Sequence, residues 1–123
     1  MAHILVVDDS ATDRHVFKRM LEKNGHTVSI ANNGSEGLQL ARRLGPDLIL
    51  MDVVMPELNG FQATRELSKG AETQAIPVVM VTTKDGESDM LWAKRQGAKA
   101  YLVKPANEKQ LLGCIRDILG ARD

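Results

Sequence analysis

Short segments rich in apolar residues recur along the chain, and most of them are not interrupted by a polar residue. Uninterrupted runs of valine, isoleucine and leucine are typical of strands that are covered on both faces, as in a parallel sheet. The run at 27–30 alternates between polar and apolar residues instead, which favours a strand nearer the sheet edge. The pattern predicts five strands, at 4–7, 27–30, 48–51, 78–81 and 101–103.

The segments between these runs carry apolar residues at helical spacing, three or four positions apart. Asn33 with Glu36, and Asn107 with Gln110, have the spacing of a capping box at a helix start. The fourth helix is predicted over 87–96. The side chains predicted to face inward on the other four helices are Val16, Phe17, Met20 and Leu21; Leu38, Ala41 and Leu44; Phe61, Thr64 and Leu67; and Leu111, Leu112, Ile115, Ile118 and Leu119.

Five strands that alternate with five helices predict an α/β fold, a doubly wound five-stranded parallel sheet with helices on both faces. Its flavodoxin-like (βα)5 form has the strand order 2-1-3-4-5, which would place the first, third and fourth strands side by side. At 123 residues the chain has the usual length of one domain, so residues 1–123 are predicted to form a single domain with no output domain.

Composition and charge exclude several classes of protein. Lysine plus arginine and aspartate plus glutamate both number 16, so there is no basic excess for binding nucleic acid. No apolar stretch reaches the roughly 18 residues of a membrane span. The first residues have the pattern of a strand rather than of a signal peptide, so none is expected. The single cysteine, Cys114, excludes an internal disulfide. The expected location is the cytoplasm, with no membrane insertion.

Polar side chains stand at the carboxyl ends of the predicted strands. Asp8 and Asp9 follow the first strand. Asp52, Thr82 and Lys104 stand at the ends of the third, fourth and fifth. Ligands of open α/β sheets bind outside these strand ends. Three carboxylates so close together repel one another, so at least one would take up a proton unless a cation lies between them. The three aspartates and the lysine have a formal charge of −2, which one divalent ion would cancel. An all-oxygen ligand set favours Mg²⁺ over zinc or iron.

The order and spacing of these residues resemble those of the response-regulator receiver family, the CheY-like domains, over essentially the whole chain. Each motif is short, but together and in this order the motifs are highly specific. The matching positions are Asp8-Asp9, Asp52 within the run Met51-Asp52-Val53-Val54-Met55-Pro56, Gly60, Thr82 and Lys104-Pro105.

The resemblance implies a role for each residue of the site. Asp52 would be the phosphoacceptor. Asp9, Asp52 and the backbone carbonyl of Val54 would bind Mg²⁺ directly. Asp8 would act mostly through water, and Lys104 would pair with the phosphoryl group.

The resemblance also implies a conformational switch. Thr82 would hydrogen-bond the new phosphoryl oxygens, and Tyr101 would turn inward into the space that Thr82 vacates. The face formed by the fourth helix, the fifth strand and the fifth helix would then change its binding of partners. Lys104-Pro105 would be the family's cis peptide. Two alternatives stay open: a strand end one residue later would put Thr83 in the place of Thr82, and Tyr101 would otherwise be an ordinary core aromatic.

The implied function is that of a phosphorelay response regulator in a two-component system, which catalyses only its own phosphorylation and dephosphorylation. A CheA-like histidine kinase or a phosphotransfer protein would supply the phosphoryl group, and a downstream protein, which the sequence does not name, would respond to it. The run at 59–65, with Ala71-Glu72-Thr73 and Arg95-Gln96-Gly97-Ala98, is similar to PilH-type regulators of type IV pilus twitching motility. A chemotaxis-type regulator of another pathway is the alternative.

Three consecutive apolar residues, Met90, Leu91 and Trp92, stand on the predicted fourth helix. They cannot all face inward from one helix, so at least one is predicted to lie exposed on the partner-binding face. Trp92 alternatively lies flat across a helix junction.

Two positions beside the site depart from the family pattern. Val54 stands two residues after Asp52, where many relatives have a polar side chain, and Lys84 stands two residues after Thr82. Both would flank the path of a hydrolytic water. The hypothesis is that Val54 excludes this water and slows dephosphorylation.

Three rival functions fit the sequence less well. A phosphohydrolase of the haloacid-dehalogenase type also uses an aspartyl phosphate and Mg²⁺, but it needs a second acid at the position that Val54 occupies. In a flavodoxin-type carrier, Asp8-Asp9 would repel the FMN phosphate, and an aromatic content of 3% leaves few rings to stack on a flavin. A receiver-like scaffold is disfavoured because every site residue is present.

Overall fold

The computed structural model describes residues 1–120, which form one parallel sheet with helices on both faces. The strands are arranged in the order β2-β1-β3-β4-β5, and each neighbouring pair is parallel. The predicted flavodoxin-like (βα)5 fold is therefore confirmed. In chain order the elements are β1 (His3–Val7), α1 (Ala11–Lys23), β2 (Thr27–Ala31), α2 (Gly34–Leu44), β3 (Leu48–Met51), α3 (Gly60–Lys69), β4 (Val78–Thr82), α4 (Glu87–Gln96), β5 (Ala100–Val103) and α5 (Glu108–Leu119).

The sheet separates two apolar cores, and successive residues of the central strands contribute to them in turn. In β1, Leu5 and Val7 lie in the core beneath α2, α3 and α4, whereas Ile4 and Val6 lie in the core beneath α1 and α5. Both faces of β1 are thus covered, because side chains alternate across a strand. This two-sided burial explains why the side chains in the middle of the central strands are apolar and polar residues stand only at their ends.

The strand β2 lies at one edge of the sheet, as its alternating sequence predicted. Thr27 and Ile30 are exposed, whereas Ala31 at its end is fully buried. An edge strand has one neighbour and only partial cover, so it tolerates polar residues along its length, whereas β1 and β4 have them only at one end, at His3 and Thr82.

Asparagine side chains cap three of the helices. Asn59 and Gln62 at α3, and Asn107 and Gln110 at α5, form complete capping boxes. At α2 the predicted box forms only in part: Asn33 caps the backbone N–H of Glu36, but the Glu36 carboxylate accepts from the N–H of Asn32, one residue before the cap.

Two side chains that the helical pattern placed in the core are exposed. Val16 in α1 is 41% exposed and Leu44 at the end of α2 is 39% exposed. A helix turns by about 100° per residue, so Val16 lies to one side of the buried stripe that Phe17 and Leu21 form. Within the described chain, no helix combines the length and apolarity needed to span a bilayer.

Candidate functional site

The carboxyl ends of four strands bring their polar residues to one edge of the sheet, and backbone hydrogen bonds extend the strand ladders to fix them there. The Asp8 N–H donates to the Ala31 carbonyl at 3.2 Å. The Asp52 N–H donates to the Val7 carbonyl at 3.0 Å, one position beyond the last β1–β3 pair. The backbones of Asp8 and Asp52 are thus fixed by the same kind of hydrogen bond that holds a strand residue, although both residues lie beyond the ends of their strands.

Asp8, Asp9 and Asp52 form a candidate metal site. One carboxylate oxygen from each lies within 4.8 Å of the others. Asp8 and Asp52 are only 2% and 7% exposed, whereas Asp9 faces solvent. Buried carboxylates this close need a positive charge between them, and oxygen donors suit a hard divalent cation. The donor set therefore fits Mg²⁺.

Lys104 forms ion pairs with the carboxylates of this site. Its Nζ lies 2.8 Å from Asp8 Oδ2 and 3.4 Å from Asp52 Oδ2. A third partner was missed in the sequence: Asp13 Oδ2 lies 2.7 Å from the same Nζ. Asp13 stands in the first turn of α1, and its closeness in sequence to Asp8-Asp9 was the available signal.

With Asp13, the carboxylate cluster has four members, namely Asp8, Asp9, Asp13 and Asp52. Four carboxylates and the Lys104 ammonium give a formal charge of −3. The Arg14 guanidinium, which donates to the Asp8 carbonyl at 2.7 Å, adds a second positive charge beside them. With both residues counted, one divalent cation would still bring the formal charge of the site to zero.

Burial and hydrogen bonding have opposite effects on the pKa values of Asp8 and Lys104. Burial raises the pKa of the Asp8 carboxyl above its usual value, and the nearby Asp52 adds to this, although Lys104 and the Ser10 N–H pull it back. Burial alone would lower the pKa of the Lys104 ammonium. Its hydrogen bonds to Asp13 and Asp8 outweigh burial, so that pKa is raised and the lysine stays charged.

Gly60, the first residue of α3, packs directly against the phosphoacceptor candidate. A Cβ at this position would lie 2.1 Å from the Asp52 carbonyl oxygen and 2.8 Å from Val53 Cα. Its N–H donates to the Val53 carbonyl at 2.9 Å. Only glycine fits here, because the obstacles are backbone atoms that cannot rotate away.

The remaining site residues surround the cluster. The Val54 side chain is 55% exposed, while its N–H donates to Asp52 Oδ1 at 3.4 Å, a long contact. The peptide between Lys104 and Pro105 is cis.

Thr82 and Tyr101 are joined through the loop after β4. Thr82 is fully buried and ends β4, whereas Thr83 is exposed, so the strand end lies where the sequence placed it. The Lys84 N–H donates to Thr82 Oγ1 at 3.4 Å, and the Tyr101 hydroxyl donates to the Lys84 carbonyl at 2.8 Å. Tyr101 is half-buried and its hydroxyl bonds to this loop. Burial, with the charges of Asp89, Asp52 and Asp85, raises the pKa of Tyr101 to about 12.

The apolar run of α4 is exposed along its whole length. Met90, Leu91 and Trp92 are 38%, 55% and 47% exposed, and Ala93 is the buried residue of this helix. Trp92 is therefore a surface residue. The short side chain of Ala93 lets α4 pack closely on the sheet while its larger apolar residues face outward.

Comparison with known proteins identifies the family. A family model described as the response regulator receiver domain matches residues 4–116. Protein PilH of Pseudomonas aeruginosa is 59% identical over 119 residues, which cover 97% of this chain and 98% of that protein.

Solved structures agree with the sequence comparison. The chemotaxis protein CheY4 of Vibrio cholerae superposes with a TM-score of 0.92 at 33% identity, covering 97% of this chain and 99% of that one. The receiver domain of the sensor histidine kinase PA1611 of Pseudomonas aeruginosa superposes with a TM-score of 0.90 at 28% identity, covering 98% of each chain. In that structure a magnesium ion is coordinated in the active-site cleft.

Proposed function

The chain belongs to the response regulator receiver domain family, and from this premise we propose that it accepts a phosphoryl group on Asp52 in the presence of Mg²⁺. It is a homologue of PilH, and receiver domains are signalling proteins that exchange phosphoryl groups with histidine kinases or phosphotransfer proteins. The observation that carries the proposal is the position of Asp52. Its carboxylate is nearly buried, stands beside Asp8 and Asp9, and lies 3.4 Å from the Lys104 ammonium.

The chemistry follows from the charge of Asp52. A carboxylate oxygen attacks phosphorus directly, so no general base is required. The new bond joins an Asp52 oxygen to phosphorus, and the bond from phosphorus to the donor, a phosphohistidine nitrogen or the acetate oxygen of acetyl phosphate, breaks with its electron pair. The chain contributes alignment of the nucleophile and the positive charge of Lys104.

Asp8, Asp9, Asp52 and the backbone carbonyl of Val54 are the groups that would hold Mg²⁺. When bound, the ion neutralises charge that spreads over the transferring phosphoryl oxygens. Asp9 is the exposed member of the set, which leaves the site open to solvent and to a donor on that side.

The output of the switch is proposed to run through Thr82 and Tyr101. A phosphoryl group adds about one negative charge and three acceptor oxygens next to Thr82, whose hydroxyl can turn to donate to them. Its contact with the Lys84 N–H is long, at 3.4 Å, so little is lost in turning. Tyr101 would then leave the Lys84 carbonyl, and the exposed surface of Met90, Leu91 and Trp92 would change its binding of a downstream protein.

The pathway is proposed from the relative that matches over nearly its whole length. PilH is 59% identical, so we place the chain in type IV pilus or twitching-motility signalling, with a CheA-like kinase or a phosphotransfer protein as donor. We place this exchange in the cytoplasm, where such kinases take up phosphate from ATP. The chain would catalyse its own phosphorylation and dephosphorylation and turn over no separate substrate.

Incubation with Mg²⁺ and acetyl phosphate, followed by intact-protein mass measurement, tests the proposal. Wild type should gain the mass of one phosphoryl group, and Asp52→Asn should gain none. Removal of Mg²⁺ with a chelator should abolish the gain. Continuous turnover of a phosphate ester would instead indicate a phosphohydrolase, and equal labelling of Asp52→Asn would contradict the choice of acceptor.

A further inference from the structure

The Lys104 ammonium is shared among three carboxylates. An ammonium has three N–H donors, and here one faces each of Asp13, Asp8 and Asp52, at 2.7, 2.8 and 3.4 Å. The two short contacts lie on the side of α1 and β1, and the long one points to the phosphoacceptor candidate. Lys104 is therefore bound more closely to Asp13 and Asp8 than to Asp52.

A phosphoryl oxygen on Asp52 can receive a hydrogen bond from Lys104 only if the ammonium gives up a carboxylate. Releasing Asp8 is costly, because its side chain is 2% exposed and would be left as an unpaired buried charge. The Asp13 side chain is 38% exposed, so water can replace the ammonium there. Asp13 is the partner that can be exchanged.

We propose that Asp13 is a positioning residue that holds the Lys104 ammonium back from Asp52, and that Lys104 exchanges Asp13 for a phosphoryl oxygen when Asp52 is phosphorylated. This inference rests on the proposed function, since it assumes a phosphoryl group on Asp52.

The local structure of α1 suits this exchange. The N–H of Asp13 donates to Ser10 Oγ at 3.2 Å, and the Arg14 guanidinium donates to the Asp8 carbonyl at 2.7 Å. The backbone of this turn is thus tied to the end of β1, so only the Asp13 side chain has to move. A released carboxylate in the first turn of α1 is still stabilised by the helix dipole.

The substitution Asp13→Asn removes the competing charge and keeps the size of the side chain. Phosphorylation by acetyl phosphate at saturating Mg²⁺ should become about two- to fivefold faster, the range that a partly exposed ion pair contributes. Asp13→Glu, which keeps the carboxylate, should return the rate toward wild type. As a matched control, Asp85→Asn removes an exposed acid from the loop after β4 and should change the rate by less.

A double-mutant cycle separates an effect through Lys104 from a general loss of negative charge. In a Lys104→Ala background, Asp13→Asn should leave the phosphorylation rate nearly unchanged. If Asp13→Asn speeds phosphorylation equally in both backgrounds, the effect of Asp13 does not depend on Lys104 and the proposal is overturned. Slower phosphorylation of Asp13→Asn in the wild-type background would overturn it as well.

A second readout needs neither metal nor phosphoryl donor. In metal-free ¹⁵N-labelled protein, Asp13→Asn should shift the Lys104 ammonium resonance and speed its hydrogen exchange, and Asp85→Asn should do neither. A Lys104 ammonium resonance that is the same in Asp13→Asn and wild type would contradict the contact between Asp13 and Lys104. If wild type takes up no phosphoryl group at all, the assignment of Asp52 fails together with this proposal, whereas equal rates for wild type and Asp13→Asn contradict this proposal alone.

Discussion

Single residues of this site owe their properties to what surrounds them rather than to their type. Asp8, Asp9 and Asp52 are chemically identical, yet Asp9 faces water while the other two are nearly buried. Lys104 remains charged although burial opposes it, because Asp13 and Asp8 accept short hydrogen bonds from its ammonium. Burial therefore separates Asp9 from Asp8 and Asp52, and the roles that the sequence suggested for the three aspartates stay a prediction.

Tyr101 is the single tyrosine of the chain, so its ionisation can be followed by the ultraviolet absorbance of the phenolate. Its pKa is raised from 10.0 to about 12, first by burial and then by the nearby aspartates. Folding thus favours the neutral phenol: this stabilisation is complete below pH 10 and is lost as the pH rises toward 12.

We expect a titration midpoint near pH 12 while circular dichroism still reports folded protein. The same titration of protein unfolded in denaturant is the control and should have its midpoint near 10.0. A midpoint near 10.0 in folded protein would contradict the burial of the Tyr101 ring and the hydrogen bond of its hydroxyl.

Val54 presents an apolar, half-exposed side chain beside Asp52. An amide there could orient a hydrolytic water, so Val54→Asn should shorten the lifetime of the phosphorylated protein several-fold, measured by loss of the phosphoryl mass after donor removal. Because the side chain is exposed, the free energy of unfolding should change by no more than about 0.5 kcal/mol. Val54→Ile, which stays apolar, is the matched control. An unchanged or longer lifetime for Val54→Asn would disprove the hypothesis.

Among the elements of the site, the start of α3 packs closely on the residues that follow β3. Gly60→Ala would place a Cβ 2.1 Å from the Asp52 carbonyl oxygen, so the backbone that carries Asp52 has to shift. Overpacking of this kind costs about 1–3 kcal/mol, and the displaced carboxylate should also be phosphorylated more slowly.

Gly113 in α5 provides the matched control for Gly60, because an added Cβ there meets no atom within 4 Å. Gly113→Ala should stabilise the protein by about 0.5–1 kcal/mol through the better helix propensity of alanine. Chemical denaturation of both variants measures the contrast. A Gly60→Ala protein as stable as wild type would show that α3 does not pack on Asp52 in this way.

At the scale of the whole molecule, the features that sequence predicts are those that depend on periodicity. Central strands read as unbroken apolar runs because α-helices cover both of their faces, and the carboxyl ends of parallel strands necessarily meet at one edge. The sequence alone therefore predicted that Asp8, Asp52 and Lys104 lie close together. The order of elements along the chain does not fix the strand order, which came from the flavodoxin-like form of the fold.

Features that depend on the packing of one element on another were not predictable. Asp13 and Lys104 are 91 residues apart, and their contact depends on where α1 lies relative to the end of β5. The exposure of Val16 and Leu44 likewise depends on how far each helix face is covered by its neighbours. The spacing of apolar residues along a helix shows which face is buried, but it does not show how wide the buried part of that face is.

The central claim, that Asp52 is the phosphoacceptor, is tested most directly by locating the acyl phosphate. Borohydride reduction of protein treated with Mg²⁺ and acetyl phosphate converts a phosphorylated aspartate to homoserine, which peptide mass spectrometry can place in the sequence. We expect homoserine at position 52 alone, and none without Mg²⁺. Homoserine at position 8, 9 or 13, or at no position in protein that carries the phosphoryl mass, would contradict it.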